Sequence, residues 1–282
     1  MAFGVHVDSS SDIPQALVKE AGIWVTPLPV IIDGQSYLEG VDMFPEEFYR
    51  RCGTFAELPK TSQPNLADLL EAYNEILKRG DEVISILLSS GLSSTVNTAL
   101  LAREMCDDPG RVHVIDSKGA ALGYGLIALK TVQLAREFPS WSELEGKIND
   151  FRDHMRYLFM PDTFEYLVKG GRVSKTIGAI GGVLDIKPIL RVTPEGTIDA
   201  YVKVRSKRAA IRKVADILKE EILNPTEQVV GVSHSNCLSD AETLVAEIRA
   251  RVTVKDVILS DIGCVVGSHT GPGTLAVFYQ KQ

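Results

Sequence analysis

The chain has 282 residues, of which 45% are hydrophobic and 24% are charged, and its formal net charge is −7. At about 150 residues per domain this length predicts about two domains, and the apolar fraction excludes disordered and collagen-like chains. The excess of acidic residues argues against a general nucleic-acid-binding protein, which normally carries a basic surface.

The sequence also bears on the cellular compartment. No apolar run approaches the roughly 20 residues that cross a bilayer, and the first residues lack the basic start and long apolar stretch of a signal peptide. The four cysteines lie far apart and form no Cys-x-x-Cys pair, so neither a disulfide framework nor a zinc site is expected. We therefore expect a protein of the reducing cytoplasm, with no resident metal or cofactor.

In the first half of the chain, strand-like and helix-like segments alternate. Asp12 is predicted to cap the first helix, with Pro14 in its first turn. Because Pro27 and Pro29 interrupt it, the segment 24–32 is predicted to be an irregular or edge strand. The other predicted elements are strands at 3–7, 83–88 and 112–115, and helices at 66–77, 95–105 and 120–136. This βαβα order predicts a mainly parallel sheet covered by helices.

The second half differs in character because it contains glycine-rich stretches at 170–171 and 178–182. Ser140 or Ser142 is predicted to cap a helix that continues to about Tyr157. Beyond it, strands are predicted at 187–192, 198–204, 228–233, 257–262 and 275–279, and helices at 207–221 and 240–251. We place a domain boundary at 155/156, which gives an N-terminal α/β domain (1–155) and a C-terminal α/β domain (156–282).

Four polar clusters follow predicted strands, at 8–12, 89–94, 116–117 and 234–236. The carboxyl ends of strands in open α/β sheets form the ligand crevice, so their convergence predicts a site for a ligand with an oxygen-rich head. The cluster at 89–94 also opens a helix, whose free N–H groups favour an anion. For any single cluster, ordinary helix capping by Ser and Asp is the alternative.

Two loops contain further candidate anion-binding side chains. His269 lies among glycines in the loop at 267–274, where the backbone can approach a ligand closely. Arg172 lies in a second loop, at 169–174. Each has a simpler alternative, which is a solvated side chain in a surface turn.

The catalytic motifs of P-loop, dinucleotide-binding and HExxH zinc enzymes do not occur in the sequence. The segment 91–95 begins like the nucleophile elbow of a hydrolase, but Thr95 stands where the second Gly is needed. Ser93, His269 and an Asp could still form a hydrolytic triad, since triads need no sequence proximity.

A local basic run interrupts the acidic composition. Between 201 and 213 the chain carries six basic residues and no acid, and the first four are Lys203, Arg205, Lys207 and Arg208. This positive patch could meet an acidic protein partner or a phosphate. A solvated helix start is an equally good interpretation.

Seven short segments together carry a resemblance to a known family. They are residues 8–12 (DSSSD), 60–64 (KTSQP), 89–93 (SSGLS), 164–174 (FEYLVKGGRVS), 186–190 (IKPIL), 203–205 (KVR) and 269–273 (HTGPG). In this order and across the whole chain, they resemble the DegV family, which includes the fatty-acid-binding subunit of bacterial fatty acid kinase. One departure is Ser94, where family members often carry Gly.

The resemblance implies a two-domain DegV-like α/β fold with a long-chain fatty acid, such as palmitate or oleate, bound at the domain junction. It further implies a carrier that is not itself an enzyme. A separate ATP-dependent fatty acid kinase subunit would convert the bound carboxylate to an acyl phosphate, and the carrier would make transient contact with membranes.

Site residues follow from their places in the matched segments. The resemblance implies that Thr61 and Ser93 hold the carboxylate, with Ser62 beside them, and that His269 joins their hydrogen bonds. Arg172 would lie near the head group, where it could meet the transferred phosphate. We predict that Lys203, Arg205, Lys207 and Arg208 contact the kinase subunit.

Two alternatives remain beside this hypothesis. The first is a lipid or ester hydrolase that uses Ser93 as nucleophile and His269 as base. The second is a binding protein for a different anionic small molecule within the same fold.

Overall fold

The computed structural model describes residues 3–173 and 187–282, without the side chain of Lys187. The strands are β1 (Phe3–Asp8), β2 (Trp24–Thr26), β3 (Pro29–Ile32), β4 (Gln35–Leu38), β5 (Lys60–Thr61), β6 (Glu82–Leu87), β7 (Val112–Asp116), β8 (Met155–Met160), β9 (Lys187–Val192), β10 (Ile198–Val204), β11 (Val229–His234), β12 (Asp256–Asp261) and β13 (Leu275–Gln280). The predicted glycine-rich stretch at 178–182 lies outside the described residues.

The α-helices of the described residues follow the same order along the chain. They are α1 (Gln15–Ala21), α2 (Pro45–Arg51), α3 (Leu66–Lys78), α4 (Thr95–Met105), α5 (Leu122–Glu137), α6 (Trp141–Asp153), α7 (Glu165–Lys169), α8 (Lys207–Glu221), α9 (Leu238–Arg249) and α10 (Cys264–Thr270). None of these helices combines the length and the apolar content that a bilayer crossing requires. All four cysteines are free thiols.

The N-terminal sheet has the strand order β2-β1-β6-β7, and every pair in it is parallel. Val5 pairs with Ile84, and Ile84 pairs with His113. Parallel strands are connected by crossovers that are usually helical, and these helices cover both faces of the sheet. Residues on both sides of each strand are therefore buried, which is why the strands are continuous apolar runs in the sequence. The mainly parallel N-terminal sheet of the α/β prediction is confirmed.

The C-terminal sheet is mixed, with the order β10-β9-β8-β13-β11-β12, in which only β11 and β12 are parallel. Its strand β8 corrects a prediction, because the helix expected to continue to Tyr157 ends at Asp153. The segment 155–160 is a short apolar run that periodicity cannot assign to helix or strand. Pairing with β13 on one side and β9 on the other makes it a strand.

A third sheet within the described residues is small and antiparallel, with the order β4-β3-β5. The irregular strand predicted at 24–32 is two strands in different sheets, because β2 edges the parallel sheet and β3 is central in the small one. Pro29 is the first residue of β3, a position that tolerates a missing N–H. Thr61, which precedes the predicted helix at 66–77, ends β5 and pairs with Val30.

Asp12 does not cap the first helix, which corrects a further prediction. Its backbone is left-handed, with a φ of 50°, and Pro14 occupies the cap position of α1. Asp, like Asn, adopts this conformation more readily than other non-glycine residues. The Asp12 carboxylate instead accepts a hydrogen bond from the N–H of Gly263 at 3.0 Å.

The largest hydrophobic core is shared by the two larger sheets. Val5 and Ile84 of the parallel sheet, Tyr124 of α5, and Tyr157 and Phe278 of the mixed sheet belong to one buried cluster. Helix α5 packs on β1 and β6 as well as on β8, β11 and β13. The division into domains at 155/156 stays a prediction.

Candidate functional site: an apolar pocket with a polar head

A pocket is enclosed by the loops after β6 and β7, by the mixed sheet, by the small sheet and by α10. It contains about 820 Å³ of empty space, the part open to solvent included. Its apolar lining consists of Leu28, Leu88, Leu92, Ala120, Ala121, Tyr157, Phe159, Leu167, Val192, Ile198, Ile262, Val265, Val266, Ala276 and Phe278. Such a lining with few polar groups is typical of sites that bind small apolar molecules.

Two glycines make room for the aromatic wall of this pocket. A Cβ on Gly119 would lie 2.1 Å from the hydroxyl of Tyr157, and one on Gly123 would lie 2.2 Å from its ring. Gly123 also faces Phe278, which packs edge-on against Tyr157. Helix α5 can therefore approach β8 and β13 closely only because these positions lack side chains.

At the polar side of the pocket, His269 and Thr61 meet. Nε2 of His269 lies 2.7 Å from Oγ1 of Thr61. The glycine-flanked loop predicted around His269 is in fact α10, and His269 lies in its last turn. The glycines misled the prediction because Gly271, with a φ of 74°, ends this helix.

His269 is largely buried and uncharged at neutral pH. Burial, with the nearby Arg172 guanidinium, lowers the pKa of the imidazole to about 4. Nδ1 is buried and has no hydrogen-bond partner among the described residues. This atom lies against Gly170, where a Cβ would come within 2.5 Å of it.

Arg172 connects two sides of the site. Its Nε donates to the carbonyl of Leu92 at 3.1 Å, and its Nη1 donates to the carbonyl of Gly170 at 2.6 Å. Leu92 precedes Ser93 in the chain, and Gly170 lies behind the imidazole of His269. These two bonds use two of the five N–H groups of the guanidinium. Arg172 therefore fixes the Ser93 loop relative to His269.

Ser93 lines the same pocket but is held by a different partner. Its Oγ lies 2.8 Å from Oγ1 of Thr95 and accepts the Thr95 N–H at 3.3 Å. Within the described residues no hydrogen bond joins Ser93 to His269. This arrangement differs from the nucleophile–base pair that the hydrolase alternative requires.

Ser62 and Ser94 lie at the mouth of the site. Ser62 lines the pocket and donates to the carbonyl of Gln63 at 3.0 Å, while Ser94 donates to the side-chain oxygen of Gln63. The φ of Ser94 is −84°, an angle that any residue can adopt. The serine at this position therefore requires no glycine-like backbone.

The polar residues also border the protein surface. Thr61, Arg172 and His269 line both the apolar pocket and a neighbouring outer cleft. The other walls of this cleft are the segment 52–60, helix α7 with Gly170, and Ser268. A group bound to Thr61 and His269 is thus reached from the cleft.

The remaining predicted polar clusters serve the fold. Of the polar residues in the four clusters, only Ser93 lines the pocket. Asp8 is fully buried and accepts from the N–H of Leu88 at 3.0 Å and the hydroxyl of Tyr124 at 2.7 Å. Asp116 accepts the N–H of Ser90 in the loop after β6. Of the predicted convergence of clusters, the pocket contains the cluster after β6, whereas the acids at the ends of β1 and β7 satisfy loop amides.

The basic run lies on β10 and the start of α8. Lys203, Arg205 and Arg208 are exposed. Lys207 is half-buried, and its Nζ contacts the carboxylate of Asp240 at 2.6 Å and the carbonyl of Gly273 at 3.0 Å. Of the four predicted contacts, Lys207 is thus already engaged within the chain.

Several residues of the site were not predicted from the sequence. Gly119 and Gly123 leave room for a close contact, yet nothing local identifies Tyr157 as the partner. The sequence places Gly170 in a glycine-rich stretch and in the matched segment 164–174, and neither indicates His269 as its neighbour. Its contact with His269 spans 99 residues and depends on the packing of α7 against α10.

Comparison with known proteins gives the family. A family model described as an uncharacterised protein of the DegV family matches residues 2–282. A DegV domain-containing protein of Caldanaerobacter subterraneus is 36% identical over 278 residues, which cover 99% of this chain and 98% of that protein.

Solved structures agree in fold over the full length. The crystal structure of DegV from Bacillus subtilis, described as a fatty acid binding protein, is 31% identical, with a TM-score of 0.89 and complete coverage of both chains. A DegV family protein of Thermus thermophilus, described by its fatty acid binding, is 30% identical, with a TM-score of 0.90 and the same coverage. With its α/β architecture and a match along nearly the whole sequence, the chain belongs to the DegV family.

Proposed function

We propose that this protein binds a long-chain fatty acid in the apolar pocket and presents the carboxylate to a separate ATP-dependent kinase subunit, which forms the acyl phosphate. The observation that carries the proposal is the apolar pocket that ends at Thr61, His269 and Arg172, next to an outer cleft. The fatty acid binding described for the relatives from Bacillus subtilis and Thermus thermophilus supports the same ligand class.

The acyl tail supplies most of the affinity in this proposal. Each buried methylene contributes about 0.8 kcal/mol before the costs of binding. Tail burial is therefore strong but carries little orientation, because apolar contacts are not directional. Shortening a saturated acid by two methylenes within the pocket is expected to weaken binding about 10-fold.

The head group supplies orientation. A neutral imidazole with its proton on Nε2 donates to Thr61, which leaves the Thr61 hydroxyl free to donate to a carboxylate. This tautomer leaves only a lone pair at Nδ1, for which the described residues provide no hydrogen-bond partner. Ser93 offers a second hydroxyl, and α4 begins two residues later with its positive dipole end. Arg172 adds a nearby positive charge.

The kinase step belongs to a partner in this proposal, and the chain acts as a cytoplasmic carrier. A kinase approaching the carboxylate enters through the outer cleft, where Thr61 and His269 are accessible. Exposed Lys203, Arg205 and Arg208 form the proposed docking surface, with Lys207 at its edge. Reversing the charges of Lys203 and Arg205 should weaken kinase association and spare lipid binding, whereas unchanged association would refute the docking role.

Lipid identification tests the proposal directly. The purified protein is examined by native mass spectrometry, then extracted with solvent, and the released lipid is identified. A fatty acid near one per chain, or rebinding of palmitate or oleate after delipidation, supports the carrier. A protein that is empty and refuses both acids contradicts it.

The head-group assignment has its own test. Thr61→Ala combined with Ser93→Ala should reduce acyl phosphate formation with the kinase far more than it reduces tail binding. Equal losses in both would mean that these hydroxyls do not hold the carboxylate. Turnover of acyl esters that disappears in Ser93→Ala alone would favour the hydrolase alternative instead.

A further inference from the structure

Helix α10 forms one wall of the pocket, but its own sequence does not make it a stable helix. It has seven residues and no side-chain cap of its own, and isolated helices of this length are unstable in water. Yet it carries His269 and three further pocket-lining residues. Contacts from other parts of the chain must therefore place it.

Two carboxylates from the first 40 residues hold the first turn of α10. Asp12 Oδ1 accepts the N–H of Gly263 at 3.0 Å, and Glu39 Oε1 accepts the N–H of Val265 at 3.0 Å. Val265 and His269 are four residues apart and share a helix face. A Cβ on Gly263 would lie 2.3 Å from Glu39 Oε1, so glycine is needed for this approach.

Glu39 also belongs to the sheet that carries Thr61. It directly follows β4, and its own N–H donates to the carbonyl of Leu28 at 3.0 Å. Its Oε2 accepts the hydroxyl of Ser9 at 2.6 Å, and Ser9 Oγ in turn accepts the N–H of Leu28 at 3.0 Å. Leu28 adjoins β3, which pairs with Thr61 through Val30.

One buried carboxylate thus joins the small sheet to α10. The hydrogen bond between Thr61 and His269 spans the same two elements at 2.7 Å. Glu39 is 6% exposed and is not a lining residue of the pocket. We propose that Glu39 is a positioning residue for the head-group site, which sets the Thr61–His269 geometry without touching the ligand. The inference rests on the proposed fatty acid function.

The test separates the length of the side chain from its carboxyl group. Glu39→Asp keeps the carboxyl group but shortens the side chain by one methylene, so it cannot reach both α10 and Ser9. Glu39→Gln keeps the length and the Oε1 acceptor for Val265, and its amide nitrogen can donate to Ser9 Oγ where Oε2 accepted from it. Glu221→Asp is the matched control, because Glu221 binds Arg156, Tyr201 and Tyr279, none of which lines the pocket.

Binding of palmitic acid is compared with binding of 1-hexadecanol, which has the same tail and no carboxylate. Glu39→Asp should weaken the acid about tenfold, the worth of one charged hydrogen bond, and leave the alcohol within about twofold. Glu39→Gln and Glu221→Asp should keep the acid-to-alcohol ratio of the wild type. A wild-type ratio in Glu39→Asp, or loss of the ratio in the control Glu221→Asp as well, overturns the inference.

A second readout needs no ligand. The ring nitrogen signals of His269 are measured by NMR in the free protein, with His113, held by Glu82, as internal reference. Glu39→Asp should shift the His269 signals and leave those of His113 in place, and unshifted His269 signals would also overturn the inference. If the wild type binds no fatty acid, the proposed function is wrong. The NMR measurement would still show whether Glu39 positions His269.

Discussion

At the scale of single residues, the site depends on small side chains beside large ones. Gly170 has a φ of −71°, so its backbone would accept any residue, and only the space in front of it demands glycine. The imidazole of His269 fills that space and is directed at Thr61. Orientation of the His269–Thr61 pair thus depends on a residue that forms no hydrogen bond to either member.

Gly170→Ala is therefore expected to displace the His269 ring. The new Cβ would lie 2.5 Å from Nδ1 of His269 and 2.7 Å from the carbonyl of Tyr166. Loss of one head-group hydrogen bond should weaken fatty acid binding about tenfold, as measured by titration calorimetry. Gly146→Ala, on α6 with open space around it, is the control and should bind normally. Normal binding by Gly170→Ala would show that the ring has room to adjust.

His269 also predicts how stability depends on pH. Its pKa of about 4 lies below the ordinary value of 6.5. Between these two pH values the imidazole is protonated in the unfolded chain and neutral in the folded chain. The neutral imidazole therefore contributes fully to the stability of the folded state above pH 6.5, and this contribution is lost as the pH falls toward 4.

His269→Gln should therefore lose less stability than the wild type between pH 6 and 4.5. The difference should grow by up to about 1.4 kcal/mol per pH unit, measured by urea unfolding at each pH. Asp8, Asp12, Glu39 and His6 also have shifted pKa values, but they are common to both proteins and cancel in the comparison. Parallel stability curves for the two proteins would contradict the buried, neutral imidazole.

At the scale of elements, α5 approaches the mixed sheet closely. The ring of Tyr157 lies where side chains on Gly119 and Gly123 would stand, and Phe278 lies beside it. These contacts join a helix of the parallel sheet to two central strands of the mixed sheet. They also form one wall of the pocket, so packing and binding are coupled there.

Gly123→Ala is expected to push α5 away from this wall. Its Cβ would lie 2.2 Å from a ring carbon of Tyr157 and 2.7 Å from one of Phe278. Overpacking of this kind costs about 1–3 kcal/mol, which thermal unfolding would register as a lower Tm. Gly146→Ala provides the opposite control, because alanine in an open helical position stabilises by about 0.5–1 kcal/mol. An unchanged Tm for Gly123→Ala would show that α5 is not tightly packed against Tyr157 and Phe278 at this position.

At the scale of the whole molecule, the pocket and the main core use both larger sheets. Val5 and Ile84 share one buried cluster with Tyr157 and Phe278, and the pocket takes lining residues from both halves of the chain. A continuous core of this kind makes the stability of each half depend on the other. The predicted domain boundary at 155/156 therefore need not separate two independently folding units.

The full chain is expected to unfold in a single transition. Fluorescence and circular dichroism should give coincident urea curves, and fatty acid at 100 times its Kd should stabilise the protein by about 2.7 kcal/mol. Two separate transitions, with only one shifted by the ligand, would contradict the shared core. They would instead assign the pocket to one half.

The amino-acid sequence by itself determined the elements that local patterns encode. Apolar runs and helical periodicity placed the strands of the parallel sheet and most helices, since burial patterns repeat with the period of each element. The ordered motifs indicated the family, and they named Thr61, Ser93, Arg172 and His269, all of which line the pocket. Strand β8 was mistaken for helix because a short apolar run fits either structure.

Only the tertiary structure decided which of these residues meet and what holds them. The contact of His269 with Thr61 spans 208 residues, and that of Glu39 with Val265 spans 226. No local pattern encodes such pairs, because they depend on how separate sheets and helices pack. The same packing directed the Asp8 and Asp116 carboxylates to loop amides, although their places at strand ends predicted a ligand. A buried polar group without a hydrogen-bond partner destabilises the fold, so the folded chain provides partners for most buried polar groups.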